Sequence, residues 1–199
     1  GQNAAPACGT DLLRQQLAQE NPGYLAAQAE ADRFYLEYLE QTAHTAQRPL
    51  SVVTVPIVIH VVHTPGIPIG TAENLSDADV LAGLDLLNQA FAGVSCNSNP
   101  DGNPVGIQFA LAQRDAKGNP TSGITRHAST ATTVYPGGWS NVMLITALDG
   151  KFPTTDYVNV WLVKEFCYFS QNGQCHGPQG VSTLAGSHGH ILDGSIIEA

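Results

Sequence analysis

Histidines and cysteines are the side chains of this 199-residue chain best suited to binding a metal or forming a cross-link. His188 and His190 are two residues apart and would share one face of an extended segment, with His176 as a nearby third ligand. Glycines at positions 186 and 189 favour a loop there. A small metal site at these three histidines is one hypothesis.

The remaining histidines do not suggest a common site. His60 and His63 are three residues apart in a predicted strand, so they point to opposite faces and cannot bind one ion together. We therefore assign both a structural role. His44 and His127 are expected to be solvated.

The cysteines Cys8, Cys96, Cys167 and Cys175 allow three complete pairings, which the sequence does not distinguish. Cys167 and Cys175 enclose a polar segment that suits a small disulfide ring, and we predict this bond, with free thiols as the alternative. Disulfides persist in oxidising compartments, so we predict this bond together with a secreted, extracellular location.

Residues 1–50 differ in composition from the rest, being rich in Ala, Gln, Glu and Leu. They predict one helix from Asp11 to about Glu20 and a second, after Asn21-Pro22, to about Thr42. Residues 44–49 are a predicted linker. Two interpretations stay open for the segment: a helical hairpin packed on the main domain, or a removable pro-segment.

Residues 51–199 predict an α/β domain. Val52–His63 is almost continuously apolar, as in a strand covered on both faces. A helix begins after Ser76, with Val80, Leu84 and Leu87 at helical spacing. Further strands are predicted near 106–112, 156–163, 180–186 and 191–197. We expect a twisted, mostly parallel sheet with one backing helix.

The charge of the chain excludes two classes of partner. Eight basic residues against 17 acidic ones give a net charge of −9. Nucleic acids and anionic membranes are bound through basic surfaces, so we expect neither as a partner. In addition, no apolar run approaches the roughly 20 residues that span a bilayer.

Several short blocks occur in a distinctive order: Cys8-Gly9-Thr10, the strand 55–63, Leu87-Asn88-Gln89-Ala90-Phe91, Tyr157–Trp161 and Asp193–Ile197. These blocks are spread across residues 8–199, and in this order they resemble the pappalysin (cytophagalysin) family of metzincin zinc metallopeptidases. Two features depart from that family. Residues 180–185 lack its usual signature before the Asp-Gly block, and no His-Glu-x-x-His occurs in the chain.

The resemblance implies a helical pro-segment at 1–50 and a metzincin-like N-terminal subdomain at 51–199. It further implies a secreted, latent zinc metalloendopeptidase that hydrolyses proteins and peptides. The zinc ligands, with the C-terminal half of the catalytic domain, are expected after Ala199, so no catalytic residue is assigned here. Calcium is a second candidate cation.

The resemblance also gives roles to individual residues. The Cys8 thiolate would bind the zinc in the latent form, until the linker around Arg48–Ser51 is cut. Cys8 as a disulfide partner or a plain thiol is the alternative. Substrate would lie along an edge strand at Val181, Ser182, Thr183 and Leu184. The alternative for this segment is a surface loop. For the whole chain, the alternative function is a secreted, non-catalytic binding or adhesion module of the same fold.

Overall fold

The secondary structure alternates between helices and strands, in a computed structural model that describes residues 9–42, 52–94, 106–147, 149–183, 187–190 and 192–199. The helices are α1 (Gly9–Glu20), α2 (Tyr24–Thr42), α3 (Asp77–Phe91) and α4 (Trp139–Ala147). The strands are β1 (Val53–His63), β2 (Ile107–Leu111), β3 (Ile124–Ala128), β4 (Thr133–Val134), β5 (Val158–Val163), β6 (Glu165–Phe166), β7 (Phe169–Gln171), β8 (Gln174–His176), β9 (Gly180–Ser182) and β10 (Ser195–Glu198).

Strand β1 is the centre of the main sheet, whose order is β2-β1-β5-β10-β9, with β3 also paired to β1. The first half of β1 pairs with β2 and the second half with β3, while β5 lies along its other side. Within this sheet, every pair is parallel except β9 with β10. The predicted α/β fold with a mostly parallel sheet is therefore confirmed.

Helix α3 covers one face of the sheet. Ser76 is its N-cap and forms a capping box with Asp79, as the sequence predicts. Val80 and Leu84 are buried in one apolar cluster with Ile57, Ile59 and Val61 of β1. Apolar side chains at alternate positions of β1 thus supply this half of the core.

The second face of the sheet packs against α4, a helix that the prediction of a single backing helix did not include. Its buried residues are Trp139, Val142, Met143 and Thr146. They recur at the spacing i, i+3, i+4 and i+7, so one helical face was already visible in the sequence. The helix belongs to the larger apolar cluster, together with Val62 and Trp161 of the sheet.

A disulfide-linked β-hairpin follows β6. Strands β7 and β8 are antiparallel and joined by a tight turn at Asn172-Gly173, where both residues have positive φ. The Cys167–Cys175 disulfide closes the base of the hairpin and confirms the predicted pairing. Among the described residues, no helix is long and apolar enough to cross a membrane.

Candidate functional site

Strand β9 is the last strand in the order of the main sheet and contains two of the four residues predicted to contact substrate, Val181 and Ser182. Thr183 follows it directly, and Leu184 lies outside the described residues. Because β9 runs antiparallel to β10, the parallel sheet ends in one reversed strand.

The hydrogen bonds between β9 and β10 determine which backbone groups of β9 point away from the sheet. The Thr183 N–H donates to the Gly194 oxygen at 3.0 Å, and the Glu198 N–H donates to the Gln179 oxygen at 2.9 Å. Hydrogen bonds alternate along antiparallel strands, so the N–H and C=O of Gly180, between these pairs, point away from β10. A further extended segment could add to β9 on that side.

The side chains of β9 point to opposite faces of the sheet. Val181 is buried in the larger apolar cluster with Trp161 and Ile196, so its side chain belongs to the core. By the same alternation its N–H and C=O face Ile196 of β10, so Val181 could support a substrate site only by holding the strand in place. Ser182 is exposed, and its hydroxyl lies 2.9 Å from the hydroxyl of Ser195.

A hydrogen-bonded turn holds the end of β9 against the start of β10. The Thr183 hydroxyl accepts from the Gly194 N–H at 2.9 Å and donates to a carboxylate oxygen of Asp193. The second Asp193 oxygen is 4.0 Å from Nδ1 of His188, a side chain 70% exposed. The Asp193-Gly194-Ser195 block is therefore a structural connection between two strands.

A cavity of about 300 Å³ opens beside this turn. It extends from the end of β9 to the start of β5, and its lining includes Ser182, Thr183, Asp193, Ser195, Val158 and Tyr157. Hydroxyl and carboxylate groups dominate at the β9 side. The cavity can therefore accept polar groups next to the strand edge.

No cluster of three or more His, Cys, Asp or Glu side chains suited to a metal ion occurs in the part of the chain that the structure describes. His176 lies in β8, where its ring stacks on Phe169 at 5.2 Å, and His188 and His190 lie in the turn before β10. The hypothesis of a metal site at these three histidines gains no support from the described residues. These residues do not fit a zinc centre, and no chemical step through zinc can be derived from them.

Two of the four cysteines, Cys8 and Cys96, lie outside the described residues, as do His44 and the linker 44–49. What the sequence predicts for them stays a prediction.

The interior of the sheet contains a histidine pair. His60 is 1% exposed, and burial lowers its pKa to about 4. His127, predicted to be solvated, is instead half-buried, with its ring centroid 5.8 Å from that of His60. Burial also lowers the pKa of His127. The sequence could not reveal this pair, because it depends on the pairing of β1 with β3.

Comparison with known proteins identifies the fold. No protein-family model and no curated protein matches the chain. Similar solved structures include a variant of promirolysin from Tannerella forsythia, with a TM-score of 0.58 and 24% identity over 96% of this chain and 59% of that chain. Mature mirolysin from the same organism, in complex with a cleaved peptide, gives a TM-score of 0.55 and 24% identity over 74% of this chain and 53% of that chain. Mirolysin in complex with compound 9 gives a TM-score of 0.56 and 24% identity, with the same shares of the two chains covered.

Over the matched residues, the chain therefore has the fold of these mirolysin structures. It spans a little over half the length of the mirolysin chains that it matches.

Proposed function

We propose that this chain is the pro-segment and the N-terminal catalytic subdomain of a secreted, latent zinc metalloendopeptidase of the pappalysin family. Its substrates are proteins and peptides. The observation that carries the proposal is the likeness to promirolysin along nearly the whole chain, 96% of its length.

The difference between the two mirolysin forms supports the division into pro-segment and subdomain. The matched share of this chain falls from 96% with promirolysin to 74% with mature mirolysin, a difference of about 44 residues out of 199. That number is close to the length of the segment before β1. We assign residues 1–50 to the pro-segment and 51–199 to the subdomain.

The position of α1 supports latency. This helix packs against β9, the strand along which we place the substrate. Leu17 of α1 is buried in the same apolar cluster as Val181 of β9. The proposed pro-segment thus packs directly on the strand along which we place the substrate.

Zinc belongs to the proposal as the ion that activates water for peptide hydrolysis. The chain contains no His-Glu-x-x-His, and the resemblance to the pappalysin family implies zinc ligands after Ala199, so we propose them there. Cys8 would bind the zinc in the latent form, and calcium is a second candidate cation. The disulfide between Cys167 and Cys175 supports an extracellular location, since such bonds persist under oxidising conditions.

In the part of the chain that the structure describes, one sheet face leaves an apolar side chain exposed, which supports a further C-terminal half. Ile197 of β10 is in register with Leu162 of β5, so both side chains lie on the face that α3 covers elsewhere. Ile197 is 42% exposed. A further element packed here would complete the core.

The coding sequence after Ala199 provides the first test. We expect a zinc-binding motif with three histidines, and a reading frame without one would refute the peptidase proposal. In the full-length protein, we expect Cys8→Ala to allow proteolysis before the linker is cut, because the thiolate no longer binds the zinc. Cys96→Ala is the matched control and should stay latent.

A second test addresses β9. A peptide that adds to β9 uses the N–H groups of alternate residues, so N-methylation should matter at every second position only. With the mature enzyme, we expect kcat/KM to fall at least tenfold for one alternating set of N-methylated peptides and to change little for the other. Equal effects of both sets would contradict edge-strand binding.

The binding module remains the second candidate, since an edge strand binds extended peptides without catalytic groups. Binding that follows the same alternation, in a full-length protein that never cleaves the peptide, would favour it.

A further inference from the structure

A chain of hydrogen bonds runs through the buried side of the sheet, and its direction is fixed at Asn159 of β5. The Asn159 Nδ2 donates to the oxygens of Phe152 and Tyr157 at 3.1 and 3.3 Å. A flipped amide would place its oxygen against these two carbonyls. The Asn159 Oδ1 must therefore face His60, where it accepts from Nε2 at 2.9 Å.

The tautomers of two histidines follow from this orientation. Neutral His60 carries its proton on Nε2, so its Nδ1 must accept the Thr125 hydroxyl proton at 2.7 Å. Thr125 has no second proton to give, so its oxygen accepts from Nε2 of His127 at 2.8 Å. Every donor in this series, from His127 through Thr125 and His60 to Asn159, points the same way.

The surroundings disfavour a charge on His60. Its ring stacks on Trp161 at 5.2 Å and meets the edge of Phe152 at 6.1 Å. The titratable groups that face it are His127 from β3 and Asp149 from the segment after α4. The charges that act on His127 are those of Asp149, Lys151 and His63. At both histidines burial lowers the pKa more than the negative charge of Asp149 raises it.

We propose that this chain of hydrogen bonds is an acid-sensitive latch that joins β1, β3 and β5. A proton added to His60 Nδ1 turns that atom from an acceptor into a donor. The Thr125 oxygen would then accept from both histidines, and its own proton would lose its acceptor. The alternative is that His127 moves its proton to Nδ1, which reverses part of the chain. Either rearrangement weakens the connection between the three strands.

The sign of the effect follows from linkage. The His60 pKa is lowered from 6.5 to about 4 in the folded chain, so the unfolded state binds the proton first as the pH falls. The contribution of His60 to stability is complete above pH 6.5 and is lost between pH 6.5 and about 4. We expect the unfolding equilibrium constant to rise by roughly two orders of magnitude over that range.

Two measurements on the 199-residue chain test the latch. Long-range ¹H–¹⁵N spectra at pH 7 should show both His60 and His127 protonated on Nε2. A proton on Nδ1 of either ring would overturn the proposal without any variant. In Thr125→Val the His127 proton loses its acceptor, and its tautomers should mix, whereas Thr125→Ser should keep the Nε2 form.

Urea unfolding from pH 7 to pH 4 gives the second measurement. His60→Gln should remove most of the stability loss on acidification. His188→Gln replaces a side chain that is 70% exposed and should retain the loss. Identical pH profiles for the two variants would overturn the proposal. If His60→Gln does not fold, the tautomers of the unaltered chain and of Thr125→Val still decide the question.

Discussion

Gly194 lies where the turn before β10 meets strand β5, and its φ is +149°. A Cβ built on it would lie 2.4 Å from the Asn159 oxygen and 2.5 Å from the ring of Trp161. The first contact is with the backbone carbonyl of Asn159 and the second is with a fully buried ring, so neither group can move away easily. The glycine therefore allows the turn to approach the sheet.

We expect Gly194→Ala to destabilise the chain by roughly 3 kcal/mol, since it adds both a clash and backbone strain. Gly83→Ala is the matched control, because Gly83 lies in α3 and a methyl group added to it would meet no atom within 4 Å. Alanine there should stabilise the helix by up to about 1 kcal/mol. Urea unfolding of both variants measures the difference, and equal stabilities would contradict a tight approach at Gly194.

Local chemistry was predictable at the residue scale, but contacts between distant residues were not. The spacing of Cys167 and Cys175 predicted their disulfide, which the structure contains. The capping box at Ser76 also follows from four adjacent residues. By contrast, the bond between His60 and Thr125 joins residues 65 apart, and that between His60 and Asn159 joins residues 99 apart. Only the register of three strands brings them together.

At the scale of elements, the N-terminal helices differ in how they are held. Leu17 of α1 and Tyr24 at the start of α2 are each 2% exposed and belong to the larger apolar cluster of the sheet. Farther along α2, Phe34, Tyr35 and Leu36 are all more than half exposed. The segment is therefore anchored to the sheet through α1 and the first turn of α2.

We expect Leu17→Ala to weaken this anchor by about 3 kcal/mol, since it leaves a cavity beside β9. Hydrogen exchange should become faster in α1 while β1 and β5 keep their protection. Leu36→Ala is the control, because Leu36 is 58% exposed and its truncation should change exchange very little. Equal loss of protection in α1 and in the central strands would show that the segment does not open separately.

The elements also differ in how well their sequences predicted them. Strand β1 has apolar residues on both faces, and α3 has a cap and a regular apolar stripe, so both were predicted near their observed bounds. Helix α4 is short and apolar on most sides, and it follows Pro136-Gly137-Gly138, which indicates a turn. Strand β9 has three residues, and its edge position depends on its pairing with β10.

At the scale of the whole molecule, the two faces of the sheet are covered unequally. One face packs against α4, α1 and the start of α2 through the larger apolar cluster. The other packs against α3, whose cluster centres on β1 and reaches β5 at Val160. Farther across that face, Leu162 is partly buried and Ile197 is 42% exposed. The described part of the chain leaves apolar area in contact with solvent there.

We therefore expect the isolated 199-residue chain to self-associate through the face around Ile197, because apolar surface removed from water contributes about 25 cal/mol per Å². Ile197→Glu should shift the chain towards monomer in sedimentation velocity runs over a range of concentrations. Ile69→Glu is the control, since Ile69 is 63% exposed in the loop after β1 and its substitution should leave association unchanged. A monomer at every concentration for the unaltered chain would contradict the expectation, and equal effects of both variants would place the contact elsewhere.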